Sequence, residues 1–131
     1  MNKITLFIVF LIMSCGNPTY TDAECDYIES FFIKDEFNFI FIKDRGRPGG
    51  VYTFQVTDLE KDSLYLYKNL DVWPSEVMWF LEKEDTLRKI KGDSILYIMK
   101  KDTVLEYHYA CDQSYINGRP IMEILKEKGI K

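Results

Sequence analysis

Lys83-Glu84-Asp85-Thr86-Leu87, Lys91-Gly92-Asp93-Ser94-Ile95 and Lys100-Lys101-Asp102-Thr103-Val104 follow one plan, and Lys61-Asp62-Ser63-Leu64 shares it. A lysine closes an apolar run, an aspartate sits in the turn, and a hydroxyl residue and an aliphatic open the next run. Asp, Ser and Thr side chains bond to nearby backbone and so favour turns. The last three aspartates are eight and nine residues apart, the spacing of an up-and-down meander of short strands. Solenoid repeats need longer periods. The expected strands are 63–68, 76–82, 86–91, 94–100 and 103–110. In the last, Leu105, Tyr107 and Tyr109 face one way, and Val104, Glu106 and His108 the other. Pro74-Ser75-Glu76 is also a possible helix start, which leaves 74–87 with a second reading.

Outward from this core, Phe37 to Lys43 is an aromatic and β-branched run suited to a strand buried on both faces. Val51 to Thr57 alternates, with Tyr52, Phe54 and Val56 on one face. The glycine-rich stretch Asp44 to Gly50 joins the two. Upstream, Thr21 and Glu24 form a capping box, and Cys25, Ile28 and Phe32 follow at helical spacing, which predicts a helix over about 22–33. Downstream, Asn117-Gly118-Arg119-Pro120 reads as a turn leading into a final helix. Ile121, Ile124 and Leu125 form its apolar stripe, and Gly129 ends it. The expected fold class is therefore α+β: an antiparallel meander of about seven strands with one N-terminal and one C-terminal helix. Because several strands are apolar on both faces, a lipocalin-like β-barrel is the alternative architecture.

The first residues belong to a different kind of segment. Lys3 supplies a positive start, and Ile4 to Met13 is an apolar run broken only by Thr5. Its length fits a signal-peptide core and falls short of the ~18–20 residues of a membrane-spanning helix. Ile12-Met13-Ser14-Cys15 follows. This resembles the lipobox of bacterial lipoproteins: an aliphatic, a tolerant position, a small residue, then cysteine. The resemblance implies lipid carrying palmitate-like chains on Cys15, cleavage just before it, and acylation of the new amine. It covers residues 1–15 only, so it speaks to address and anchor and not to activity. It implies a signal peptide over 1–14, a lipidated cysteine and short tether over 15–21, and a single sheet-dominated domain over 22–131. Two or three acyl chains hold a protein stably on a membrane, each buried CH₂ contributing about 0.8 kcal/mol. Gly16 follows Cys15 where an inner-membrane retention signal would place aspartate, and acids first occur at Asp22 and Glu24. The expected place is the cell envelope, on the outer membrane facing the periplasm.

Composition narrows the partners. The chain of 131 residues carries 17 basic and 21 acidic side chains, a net charge of −4, and loss of Lys3 with the signal peptide takes it to −5. Nucleic acid is not an expected partner, since phosphate neutralisation needs clustered Lys and Arg. With Cys15 committed to lipid, Cys25 and Cys111 remain as an even pair in an oxidising compartment, which predicts a disulfide. That bridge would pin the first helix to the end of the last meander strand. His108 and Cys111 are three apart, but nothing completes a metal-ligand set, so neither a metal nor another cofactor is expected.

Catalytic signals are sparse. The single histidine, His108, falls on a polar strand face, and no Gly-x-Ser-x-Gly elbow accompanies it. Arg45 to Gly50 holds glycines but leads into no helix that would cradle phosphate. Glu82, Glu84 and Asp85 are carboxylates close enough for acid–base work, yet they lie beside lysines at a turn, where solvated charge is the simpler role. Arg45 and Arg47 are two guanidiniums on one loop, able to clamp a carboxylate or phosphate. Nine Tyr, nine Phe and two Trp must mostly fill the core, yet Tyr65 and Tyr67 share a strand face that could instead meet a partner. The expected function is a lipid-anchored, non-enzymatic binding or interaction module, with a protein or a small apolar ligand as partner. An envelope hydrolase with an unrecognised site is the alternative of a different class.

Overall fold

The computed structural model describes residues 21–71 and 73–130. The signal segment and Cys15 lie outside the described residues. Helix α1 spans Asp22–Lys34. Strands β1 (Phe37–Asp44), β2 (Tyr52–Asp58) and β3 (Ser63–Asn69) follow. A short helix α2 (Trp73–Val77) runs into a 3₁₀ turn, Met78–Phe80. Strands β4 (Thr86–Lys89), β5 (Ile95–Met99), β6 (Val104–His108), β7 (Tyr115–Ile116) and β8 (Arg119–Pro120) precede helix α3 (Ile121–Glu127). All eight strands form one antiparallel sheet in the order β3-β2-β1-β4-β5-β6-β7-β8.

The helix starts and stops have local causes. The Thr21 hydroxyl accepts from the Glu24 backbone N–H at 3.2 Å, and the Glu24 carboxylate accepts from the Thr21 N–H at 2.8 Å. These bonds satisfy two of the donors that a helix start leaves free. Helix α3 ends at Lys128, and Gly129 takes a left-handed φ of 74° beyond it, which costs glycine nothing. The β7–β8 hairpin turns on Asn117 and Gly118, both at positive φ, the geometry that a two-residue hairpin loop favours.

Two expectations are corrected. Residues 76–82 are not a strand; they belong to the helical segment that starts at Trp73 and to the turn after it. Pro74 in the first turn pre-sets a helical φ, and Trp73, Val77 and Phe80 fall at helical spacing and are buried. The topology also demands a crossing here. Strand β4 pairs with β1 and not with its predecessor, so the chain leaves β3 at one edge and passes over β2 and β1. The expected α+β class and antiparallel meander with a helix at each end hold; within the sheet the runs β1–β2–β3 and β4–β8 are joined by that crossing. The sheet is also open, ending at β3 and β8, so the barrel alternative does not hold.

One face of the sheet carries the core. Phe37, Phe39 and Phe41 of β1, Phe54 and Val56 of β2, Leu87 of β4, Leu96 and Ile98 of β5 and Tyr107 of β6 are buried on it. Phe32 of α1, Trp73 and Val77 of α2 and Ile121 and Leu125 of α3 close over them. Trp73 stacks on Phe37 at 5.7 Å between ring centroids and meets Phe32 edge-on at 6.1 Å. Most of the aromatic content is thus core filling.

The Cys25–Cys111 disulfide is present, with Cα atoms 5.2 Å apart. It ties α1 to the segment just after β6. The Cys111 N–H also donates to Glu29 of α1 at 2.9 Å.

Lys89 was not expected inside. It points to the core face and is 1% exposed. Its ammonium donates to the carbonyls of Ile33, Asp35 and Ile90 at 2.8–3.4 Å and lies 5.1 Å from the Phe32 ring centre. The first two carbonyls lie at the C-terminal end of α1, where a cation complements the helix dipole. Burial lowers the Lys89 pKa; Asp93 and Asp35 pull it back up.

Candidate functional site

Two of the recurring-turn aspartates, Asp85 and Asp93, hold their turns, as does Asp58 at the end of β2. Asp85 is buried, accepts from the Glu82 N–H at 2.8 Å and pairs with Lys100 at 2.5 Å. Asp93 accepts from the Ile95 N–H at 3.1 Å, and Asp58 accepts from the Glu60 and Lys61 N–H groups. The Glu82/Glu84/Asp85 group is therefore a turn clasped by a lysine.

The other residues singled out from sequence are scattered. The Arg47 guanidinium lies 4.3 Å from the Tyr52 ring centre, while Arg45 is exposed. His108 is exposed on β6, and its Nε2 lies 3.2 Å from Ser94 Oγ. A serine–histidine contact is half of a nucleophilic device. Among the described residues no carboxylate is hydrogen-bonded to the other ring nitrogen; His108 is exposed, and Ser94 lies just before β5. Tyr65 and Tyr67 do not form an outer surface. They turn towards the core, with Tyr67 5.1 Å from both Phe37 and Phe39. On β3 it is Leu64 and Leu66 that face out, 63% and 48% exposed. The alternation was legible in the sequence, but which face turns inward depends on where the helices pack.

The structure assembles a site that the sequence did not announce. A cleft of about 590 Å³ opens where the C-terminal end of α1 meets the end of β3 and the loop beyond it. Asp35 caps α1, its N–H donating to the carbonyls of Phe31 and Phe32. The Tyr67 hydroxyl donates to Asp35 Oδ2 at 2.6 Å. The Asn69 amide donates to Tyr67 Oη at 2.9 Å and to Asp35 at 3.4 Å, while its carbonyl oxygen accepts from the Asp71 N–H at 2.6 Å. The cleft is thus lined by a connected polar network with Asp71 beside it, by the cation Lys68, and by the apolar side chains of Phe31, Val51 and Leu70. Phe31 and Leu70 are 46% and 79% exposed, and Tyr27 extends the surface by meeting Phe31 edge-on at 4.9 Å.

Electrostatics mark the same place. Desolvation raises the Asp71 pKa, and the negative charge of Asp35 raises it further. Burial also raises the Tyr67 pKa, and its bond to Asp35 adds to the effect, so Tyr67 remains a neutral donor. A cation beside Asp71 offsets the effect of the Asp35 charge on it. Among the described residues no group of three metal-ligating side chains comes together, so the cleft offers carboxylates and an aromatic wall without a metal-ligand set.

In sequence, Asp35, Asn69 and Asp71 look like ordinary turn residues. Asn69 and Asp71 follow a strand, and Asp35 follows a helix 32 residues before Tyr67. No local pattern connects them.

No protein family, characterised protein or solved structure matches the chain.

Proposed function

We propose that the chain is a small lipid-anchored protein of the cell envelope that acts as a non-enzymatic binding module, with the Asp35–Asp71 cleft as its site. The anchor rests on Lys3, the apolar run and Ile12-Met13-Ser14-Cys15. The binding role rests on one observation: a cleft lined by two carboxylates, Asp35 and Asp71, with one cation, Lys68, and the exposed Phe31 and Leu70. The complementary partner presents an ammonium or guanidinium group flanked by apolar atoms. Its charge relieves the Asp35–Asp71 repulsion, and its apolar part covers Phe31, where a cation over the ring adds about 0.5–2 kcal/mol. The tether of 15–21 reaches about 20 Å when extended. The cleft lies at the far end of α1, roughly 20 Å along the helix from that tether. A ligand carried on a neighbouring envelope component is within reach of such a site.

Two experiments test the two parts. Metabolic labelling with a palmitate analogue should mark the wild type and spare Cys15→Ala; equal labelling of both removes the anchor. For the cleft, phenethylamine and the uncharged 2-phenylethanol are titrated while amide shifts are followed. The amine should move Phe31, Tyr67, Asn69 and Asp71 and lose its effect in Asp71→Asn. Equal binding of the alcohol, or shifts centred elsewhere, would overturn the assignment.

A further inference from the structure

The two edges of the sheet are treated differently. The β8 edge is two residues long, and one of them is Pro120, which has no N–H to offer. The β3 edge is seven residues long. Its inner side is fully paired with β2, from Asp58↔Ser63 to Tyr52↔Asn69. On its outer side, no described residue hydrogen-bonds to the β3 backbone. Leu64 and Leu66 flank that open edge on the sheet face away from the helices. A long, uncovered strand edge with exposed leucines is a template for another strand.

We infer that this strand pairs with itself, so that two copies of the chain join β3 to β3 in antiparallel fashion and one sheet runs through both. The residue pattern selects a second copy and sets the register. A two-fold axis at Tyr65 sets Leu64 opposite the partner's Leu66, and Leu66 opposite the partner's Leu64. Directly opposed side chains on one face are close enough to pack, with Cβ atoms about 4.5–5.5 Å apart. The same axis brings Lys68 to the partner's β2–β3 turn, which carries Asp58, Glu60 and Asp62 against one lysine, Lys61. An axis at Leu66 instead sets Lys68 against the partner's Leu64 and loses both matches. Lysine on an edge strand usually discourages chance pairing. Here its charge is answered in one register, by this chain's own turn. The leucine contact goes beyond ligand capture, because Leu64 and Leu66 lie on the sheet face opposite the one towards which Tyr67 turns, while Lys68 also borders the cleft.

The register gives a direct test. Full-length chains carrying Leu64→Cys and Leu66→Cys are given different tags and co-expressed. Mild oxidation of intact membranes should give a mixed disulfide between the two variants, several-fold more abundant than the 64–64 or 66–66 adducts. Adding Lys68→Asp to both should cut that yield at least fivefold, and adding Asp62→Lys and Glu60→Lys to the same chains should restore it. Thermal melts of the purified variants show whether each is folded. Absence of the mixed adduct between folded chains overturns the inference. So does a dominant 66–66 adduct, or an adduct to a different protein in place of the second copy.

Discussion

Raising the pH above 10 should destabilise this domain largely through two tyrosines. The Tyr107 ring is fully buried, and its hydroxyl donates to Glu76 at 2.6 Å and meets Ser114 at 3.3 Å. Tyr67 donates to Asp35 at 2.6 Å. In both, burial comes first and the facing carboxylate second in raising the pKa well above the ordinary value of 10.0. The folded chain therefore keeps both protons where the unfolded chain releases them. The stability this provides is fully present below pH 10 and is lost as pH rises towards the folded-state values. With the unfolded pKa at about 10, linkage gives a loss of about 1 kcal/mol per tyrosine between pH 10 and pH 11, or about 2 kcal/mol for both. Lys89 works in the opposite direction. Its folded pKa is lowered from 10.5, so its burial penalty fades as pH rises towards 10.5 and changes little above that. Lys89 is common to the wild type and a tyrosine variant, so the difference between their pH profiles isolates the tyrosines. Urea unfolding at half-unit pH steps should show a steep alkaline loss in the wild type. The Tyr67→Phe/Tyr107→Phe double variant should be less stable at pH 8, having lost hydrogen bonds, but should fall about 2 kcal/mol less from pH 10 to pH 11. Parallel pH profiles for wild type and double variant would refute the reasoning.

Removing the cross-link by Cys25→Ser/Cys111→Ser opens a loop of 86 residues. The chain-entropy model puts the cost at about 4–5 kcal/mol, a large part of the stability of a domain this size. Urea midpoints of the oxidised wild type and the double variant measure it, and a difference below ~1 kcal/mol would count against that model here. His108→Ala should change stability by no more than roughly ±0.5 kcal/mol, because the ring is exposed and its recorded partner is Ser94. Thermal melts beside complementation of a deletion strain check it; lost function with an unchanged melt would favour the hydrolase reading built on Ser94 and His108.

Where local chemistry is sufficient, the sequence was readable. The Thr21–Glu24 capping box, the Asn117-Gly118 hairpin turn and the Gly129 helix stop depend on residues within a few positions of one another. The period-two runs gave β1, β2, β3, β5 and β6 to within a residue or two, because alternation follows from strand geometry alone. The Cys25–Cys111 pair followed from counting thiols in the compartment that the lipobox resemblance implies. Tertiary structure decided the rest. Residues 76–82 are rich in apolar side chains and read first as a strand, with a helix starting near Pro74 as the second reading. Their state was set by the need to cross β2 and β1 on the way to β4, which only the strand order reveals. Lys89 was invisible as a core residue, since its carbonyl partners come from a helix 54 to 56 residues away as well as from Ile90 beside it. Tyr65 and Tyr67 were legible as one face of a strand, and Leu64 and Leu66 as the other. A strand alone is symmetric with respect to which face is buried. The helices that close over one side of the sheet break that symmetry. By doing so they bring Asp35, Asn69 and Asp71, unremarkable in sequence, to one cleft.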